Sequence, residues 1–125
     1  MAVRSRPKYL NLYQIRLPIP GFVSILHRIS GFGMFAFAWA ILWLLQMSLD
    51  SPESYEQARA VVQSPIGKLF VLGISWAFLH HFFAGLRFLL LDAHVGVDLA
   101  GARRTSWAVL VLSIAGTVIV GASIW

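Results

Sequence analysis

Apolar positions along the chain gather into three long stretches that contain no Asp, Glu, Lys or Arg, at 29–49, 69–86 and 105–125. Each stretch holds about 18 to 21 residues, which in a helix reach roughly 27 to 32 Å at ~1.5 Å per residue. The hydrocarbon core of a bilayer is ~30 Å thick. The apolar residues run continuously and do not alternate, which disfavours a membrane β-barrel. The pattern predicts an all-α membrane protein with three spanning helices.

Polar and turn-forming residues indicate where these helices begin and end. Three helices are expected, at about 22–49, 66–92 and 105–125. Together they form a single membrane-anchor domain (22–125), which follows an N-terminal segment (1–21) rich in basic residues. In the first connection, Asp50 or Ser51 is suited to cap a short interfacial helix and Pro52 to open it.

Basic residues are distributed unevenly about the predicted spans. Six of them precede the first span or lie in the connection before the third: Arg4, Arg6, Lys8, Arg16, Arg103 and Arg104. Because cytoplasmic loops are enriched in Lys and Arg, we expect a cytoplasmic N-terminus and a periplasmic C-terminus in a bacterial inner membrane. A net charge of +5 is also common in nucleic-acid-binding proteins, but these residues flank spans and form no recognisable binding module. The expected partner is therefore the lipid bilayer, with no nucleic acid.

Four ionisable side chains within the spans need an explanation: His27, Arg28, His81 and Arg87. An ionisable group at bilayer depth costs at least a few kcal/mol, so each is expected to have a partner or a function. Helical rise places both arginines roughly 7 to 10 Å inside the cytoplasmic boundary. His81 lies deeper than Arg87 by about 9 Å, near the bilayer centre.

An imidazole at mid-membrane, with guanidinium groups nearer the cytoplasm, is typical of a site for haem b. The iron needs an axial imidazole, and the two propionates need donors and positive charge. Gly85, four residues after His81, removes side-chain bulk where a macrocycle would approach. Other interpretations stay open, because the arginines can extend to the headgroups and His80 or His81 can hydrogen-bond a neighbouring helix. Adjacent histidines point about 100° apart, so at most one of them faces a haem.

Two motifs carry a resemblance to a known family. The first is S-x-x-H-R-x-S-G from Ser24 to Gly31, preceded by the pair Arg6–Pro7, and the second is H-x-x-x-G-L-R-F-x-x-x-D from His81 to Asp92. In this order, on the first and second spans, they resemble the large cytochrome b membrane-anchor subunit of succinate dehydrogenase. The resemblance covers essentially the whole chain. It departs from many relatives at Phe88, where they carry a second histidine.

The resemblance implies roles for individual residues. It makes His81 the axial ligand of the haem iron in preference to His80. The other implied positions are Ser24 and Arg28 at the ubiquinone site, and His27, Arg28 and Arg87 on the propionate side of the haem.

The resemblance also implies cofactors and partners. Haem b is shared with a second small membrane-anchor subunit that supplies the other axial histidine, so these three helices form half of a heterodimeric haem-binding bundle. An iron-sulfur subunit and a flavoprotein that oxidises succinate complete the enzyme, in which this chain is a non-flavin subunit passing electrons to ubiquinone. Two alternatives stay open, namely a haem b anchor of another membrane dehydrogenase and a cofactor-free membrane scaffold.

Overall fold

The computed structural model describes residues 16–125 of the chain. This part forms four α-helices: α1 (Ile19–Asp50), α2 (Pro52–Gln63), α3 (Pro65–Asp92) and α4 (Leu99–Ile124). Of these, α1, α3 and α4 are long and apolar enough to cross a membrane, and residues 16–125 contain no strand. The prediction of an all-α protein with three candidate spans is confirmed. The predictions for residues 1–15, including the pair Arg6–Pro7, lie outside the described residues.

The first helix begins three residues earlier than the sequence suggested. Pro18 is the N-cap residue, and Pro20 lies in the first turn of α1. A proline in the first turn costs little, because the first backbone N–H groups of a helix have no intrahelical partner. The two prolines therefore open α1 at Ile19 and do not delay it to about residue 22.

The third apolar helix begins six residues earlier than expected. Asp98 caps α4, since its Oδ2 accepts a hydrogen bond of 3.1 Å from the backbone N–H of Gly101. As a consequence Arg103 and Arg104 lie inside the first turns of α4 and not in the connection before it, which corrects the prediction. A helix can continue beyond the apolar stretch, because the limit of a charge-free segment marks the hydrocarbon boundary and not the helix end.

The short helix predicted in the first connection is present as α2. The Ser51 hydroxyl accepts a hydrogen bond of 3.1 Å from the backbone N–H of Ser54, and Pro52 occupies the first turn. Ala58 is buried against the rest of the molecule. A second serine cap follows directly, where the Ser64 hydroxyl accepts a 3.0 Å hydrogen bond from Gly67 N–H at the start of α3. The Ser51 cap stands at the single-residue connection between α1 and α2, and the Ser64 cap stands at the turn between α2 and α3.

Replacement of Gly67 by alanine is expected to destabilise this turn. The added Cβ would lie 2.7 Å from the Val62 carbonyl oxygen and would also collide with the Val61 carbonyl oxygen, both of which belong to the backbone of α2. Forcing a methyl group into such a site costs about 1 to 3 kcal/mol. We expect a thermal midpoint several degrees lower for the purified membrane complex. Gly73→Ala in the same helix is the control, because its Cβ would meet no described heavy atom within 4 Å; equal midpoints for the two variants would contradict this account.

Small side chains fill the space where the three long helices meet. Val23 of α1, Ala84 of α3 and Val109 of α4 form the buried apolar cluster. Large apolar side chains face outward instead, and Phe35 and Trp39 each leave about three quarters of their surface exposed. Outward-facing aromatic residues suit a molecule whose surroundings are lipid. Because the side chains buried between them are small, the three long helices approach closely at the level of the two sequence motifs.

Candidate functional site

The two motifs meet where α1 crosses α3. The His81 ring lies directly against the backbone of α1 at Gly31, where an added Cβ would stand 2.8 Å from His81 Cε1 and 3.1 Å from Nδ1. Only glycine permits this approach. No separate role was predicted for Gly31, although its place as the last residue of the first motif was the available signal.

The Nδ1 atom of His81 lies 3.0 Å from the backbone carbonyl oxygen of His27. A carbonyl oxygen only accepts hydrogen bonds, so this contact is a hydrogen bond when Nδ1 carries the proton. In that tautomer Nε2 keeps its lone pair. That tautomer is a neutral imidazole whose Nε2 can act as a ligand.

The His27 ring adds to this contact from the side of α1. It stacks on the His81 ring at a centroid distance of 4.0 Å and an interplanar angle of 14°. Its other neighbour is Phe88, whose ring meets it edge-on at 5.2 Å. Gly85 lies beside it, with a hypothetical Cβ only in ordinary contact, 3.9 Å from His27 Nε2. Gly85 therefore lies next to the paired histidine rings, and the approach of a macrocycle at this position stays a prediction.

Arg87 is buried between α3 and α4, with 5% of its surface exposed. Its Nε donates a hydrogen bond of 3.1 Å to the Thr105 hydroxyl, and its guanidinium lies 5.7 Å from the centre of the Phe88 ring. Within residues 16–125 the one ion pair joins Arg59 and Glu56 on the surface. No carboxylate of the described chain therefore neutralises Arg87.

Ser24 and Arg28 lie one helical turn apart on α1, as their i, i+4 spacing predicted. Ser24 is half-buried and Arg28 is exposed. The two arginines that the sequence placed at the same depth thus differ in their surroundings, because Arg87 turns into the helix interface and Arg28 turns out of it. An extended, headgroup-directed conformation stays open for Arg28 but does not describe Arg87.

The two adjacent histidines have different environments. His80 is fully buried, its ring lies 5.3 Å from that of Trp76, and within residues 16–125 neither ring nitrogen makes a hydrogen bond of good geometry. His81 is half-buried at the surface between α1 and α3. Of the two rings, only that of His81 belongs to a residue that keeps part of its surface accessible.

A metal centre made by this chain alone is not found in the described part. No group of three or more His, Asp or Glu side chains converges within residues 16–125. An axial haem ligand needs only one imidazole from a chain when a second chain supplies the other.

Comparison with known proteins connects this geometry to a family. Residues 2–120 match the family model described as succinate dehydrogenase/fumarate reductase transmembrane subunit. The chain belongs to this family. As a member, it is a membrane-anchor subunit of a succinate dehydrogenase or fumarate reductase, and the resemblance stated from the two motifs is confirmed.

Individual members of the family are similar along most of their length. The succinate dehydrogenase cytochrome b556 subunit of Paracoccus denitrificans is 35% identical over 110 residues, which cover 88% of this chain and 85% of that protein. The subunit of the same name from Coxiella burnetii is 33% identical over 122 residues, covering 97% and 98%. The one from Rickettsia felis is 33% identical over 112 residues, covering 88% and 86%.

Proposed function

We propose that this anchor subunit binds haem b through Nε2 of His81 and helps to form the ubiquinone-reduction site of a succinate dehydrogenase. The observation that carries the proposal is the 3.0 Å contact between His81 Nδ1 and the His27 carbonyl oxygen. Histidines that bind metals usually donate their second ring N–H to a carbonyl or carboxylate, which sets the tautomer and the ring orientation. The name cytochrome b556, which the relatives carry, agrees with haem b as the cofactor.

The surroundings of His81 suit a flat macrocycle with acidic substituents. Gly85 keeps side-chain bulk away from the paired histidine rings, and the room beside Gly31 is filled by the His81 ring itself. Arg87 is a buried cation without a carboxylate partner among the described residues, and an uncompensated buried charge is costly. The haem propionates would supply that negative charge, with His27 and Arg28 as further donors on the same side.

The second axial ligand comes from another polypeptide in this proposal. His27 stacks on His81 at 4.0 Å, so its ring lies on the same side of the site as the proposed ligand and would not be the second one. His80 is enclosed next to Trp76. A second, small anchor subunit would therefore contribute the opposite histidine, and the two chains would form one haem-binding bundle.

Haem b supplies one-electron exchange when it is bound. The remaining chemistry belongs to the quinone, a substrate held at the start of α1. The Ser24 hydroxyl would donate a hydrogen bond to a quinone carbonyl oxygen. The Arg28 guanidinium would stabilise negative charge that develops on the ring oxygens, as donors of the oxyanion-hole type do. Protons would come from water or partner residues, since Ser and Arg are poor acids near neutral pH.

The proposed assembly contains two further subunits, a flavoprotein that oxidises succinate and an iron-sulfur subunit that passes electrons toward Ser24 and Arg28. Both would dock on the cytoplasmic face of a bacterial inner membrane. The N-terminus would be cytoplasmic and the C-terminus periplasmic, because the basic residues collect at the ends of the spans on that side.

The test is purification of the intact complex through a tag on this chain, followed by a reduced-minus-oxidised optical spectrum and an assay of succinate-dependent ubiquinone reduction. We expect b-type bands together with this activity. Bands without succinate-dependent activity would contradict the proposal in favour of another dehydrogenase. A colourless complex would contradict it in favour of a scaffold.

A further inference from the structure

We infer that Ser30 is a positioning residue that tunes His81 through a shared acceptor, the backbone carbonyl oxygen of His27. By donating to this oxygen, the Ser30 hydroxyl weakens the hydrogen bond that His81 Nδ1–H makes to it. His81 then presents a less basic Nε2 to the iron. This inference rests on the proposed function, in which His81 is an axial ligand.

The geometry places three donors around one carbonyl oxygen. Ser30 is buried, with 2% of its surface exposed, and its Oγ donates to the His27 carbonyl oxygen at 3.0 Å. His81 Nδ1 lies 3.0 Å from the same oxygen. The backbone N–H of Gly31, four residues after His27 in α1, is the third donor. A carbonyl oxygen has two lone pairs, so the three donors compete.

The hydroxyl acts through the carbonyl and not directly on the imidazole. Ser30 Oγ stands 3.5 Å from His81 Nδ1, a separation at which a hydrogen bond contributes little. The single hydroxyl proton points to the His27 carbonyl, which is closer. Removing the hydroxyl therefore strengthens the hydrogen bond between His81 Nδ1–H and that carbonyl oxygen. It does not remove a hydrogen-bond partner of His81 itself.

The competition for the His27 carbonyl oxygen predicts the direction in which the midpoint potential of the haem changes when the Ser30 hydroxyl is removed. A stronger hydrogen bond from Nδ1–H makes the imidazole a stronger donor at Nε2. A stronger axial donor stabilises the oxidised iron more than the reduced iron, and hydrogen bonding around the ligand is one of the protein's means of setting the potential. Loss of the Ser30 hydroxyl should therefore lower the midpoint potential of the haem. The position of the His81 ring should not change in this variant, because the ring packs directly against Gly31.

A matched control lies on α4. Ser113 is fully buried, and its Oγ donates to the carbonyl oxygen three residues earlier, that of Leu110, at 3.0 Å. Ser30 makes the same kind of bond, over the same spacing and distance, to His27. Ser113→Ala therefore reproduces every local consequence of the substitution in a helix except the contact with His81.

The experiment is a redox titration of the haem in the purified complex, for wild type, Ser30→Ala, Ser30→Thr and Ser113→Ala. In Ser30→Ala the equilibrium should shift threefold to tenfold toward oxidised haem, which is about 30 to 60 mV at ~59 mV per tenfold for one electron. The optical spectrum should stay that of a six-coordinate haem. Ser30→Thr, whose hydroxyl can bond the same carbonyl, should return to the wild-type potential.

Other outcomes separate the inference from the proposed function. An unchanged or raised potential in Ser30→Ala would overturn the inference, as would an equal shift in Ser113→Ala. Should Ser30→Ala fail to assemble, Ser30→Cys decides, because its weaker S–H donor should give a smaller shift in the same direction, and a wild-type potential would count against the inference. A wild-type complex without b-type bands would refute the proposed function itself.

Discussion

Replacement of His81 by leucine is expected to remove haem b from the assembled complex. The substitution deletes the imidazole whose Nδ1 lies 3.0 Å from the His27 carbonyl oxygen and whose Nε2 would bind the iron in the proposed function. The measurement is haem content per complex from the reduced-minus-oxidised spectrum. We expect loss of the b-type bands.

His80→Leu is the control for this substitution. The ring of His80 is buried, and neither of its nitrogens makes a hydrogen bond of good geometry to the described residues. An apolar side chain of similar size removes that unfavourable burial. We expect the leucine variant to keep its haem and to unfold at the same temperature as wild type or a higher one. Equal haem content in the His81 variant and wild type would show that His81 is not the axial ligand.

Arg28→Leu is expected to lower the rate of ubiquinone reduction by about 10²- to 10³-fold, the usual effect of removing a donor that stabilises developing negative charge. Arg28 is exposed near the start of α1, so its loss should leave the fold intact. Succinate oxidation with a soluble dye should continue at the wild-type rate, because that reaction occurs on the flavoprotein in the proposed assembly. The two assays on one preparation measure this difference.

Two further variants test the hydrogen bond from Ser24 and the effect of removing an arginine away from the proposed quinone site. Ser24→Ala should have a smaller effect, about tenfold, as expected for one hydrogen bond of ~1.4 kcal/mol. Arg59→Leu removes an exposed arginine of α2 and should leave quinone reduction unchanged. If Arg28→Leu also reduces ubiquinone at the wild-type rate, Arg28 does not belong to the proposed site, and the same result for Ser24→Ala would exclude Ser24.

The three spans could be predicted from sequence because the free energy of placing charge in hydrocarbon is large and local. The residues at which the helices begin could not be predicted in the same way, because they depend on individual residues at the helix termini. Pro20 is harmless in a first turn, and Asp98 caps α4 well before the apolar stretch starts. In both cases hydrogen bonding at the helix terminus, and not hydropathy, decides where the helix begins.

The candidate site was predictable only in part. Helical periodicity separates His80 from His81 by about 100°, and the structure gives them correspondingly different environments. Periodicity alone could not show that Arg87 faces Thr105 across the connection between α3 and α4. It also could not show that Gly31 supports His81, because that contact depends on how α1 and α3 are rotated against each other.

The buried apolar cluster of the described helices is small, since it consists of Val23, Ala84 and Val109. This has a practical consequence for extraction of the protein from the membrane. Each long helix satisfies its own backbone hydrogen bonds, so detergent can separate the helices without melting them. Circular dichroism would register little change in such a sample. If the complex binds haem as proposed, its optical spectrum would change before the circular dichroism does. The reason is that the contact between His81 and the His27 carbonyl joins two helices and is lost when α1 and α3 separate.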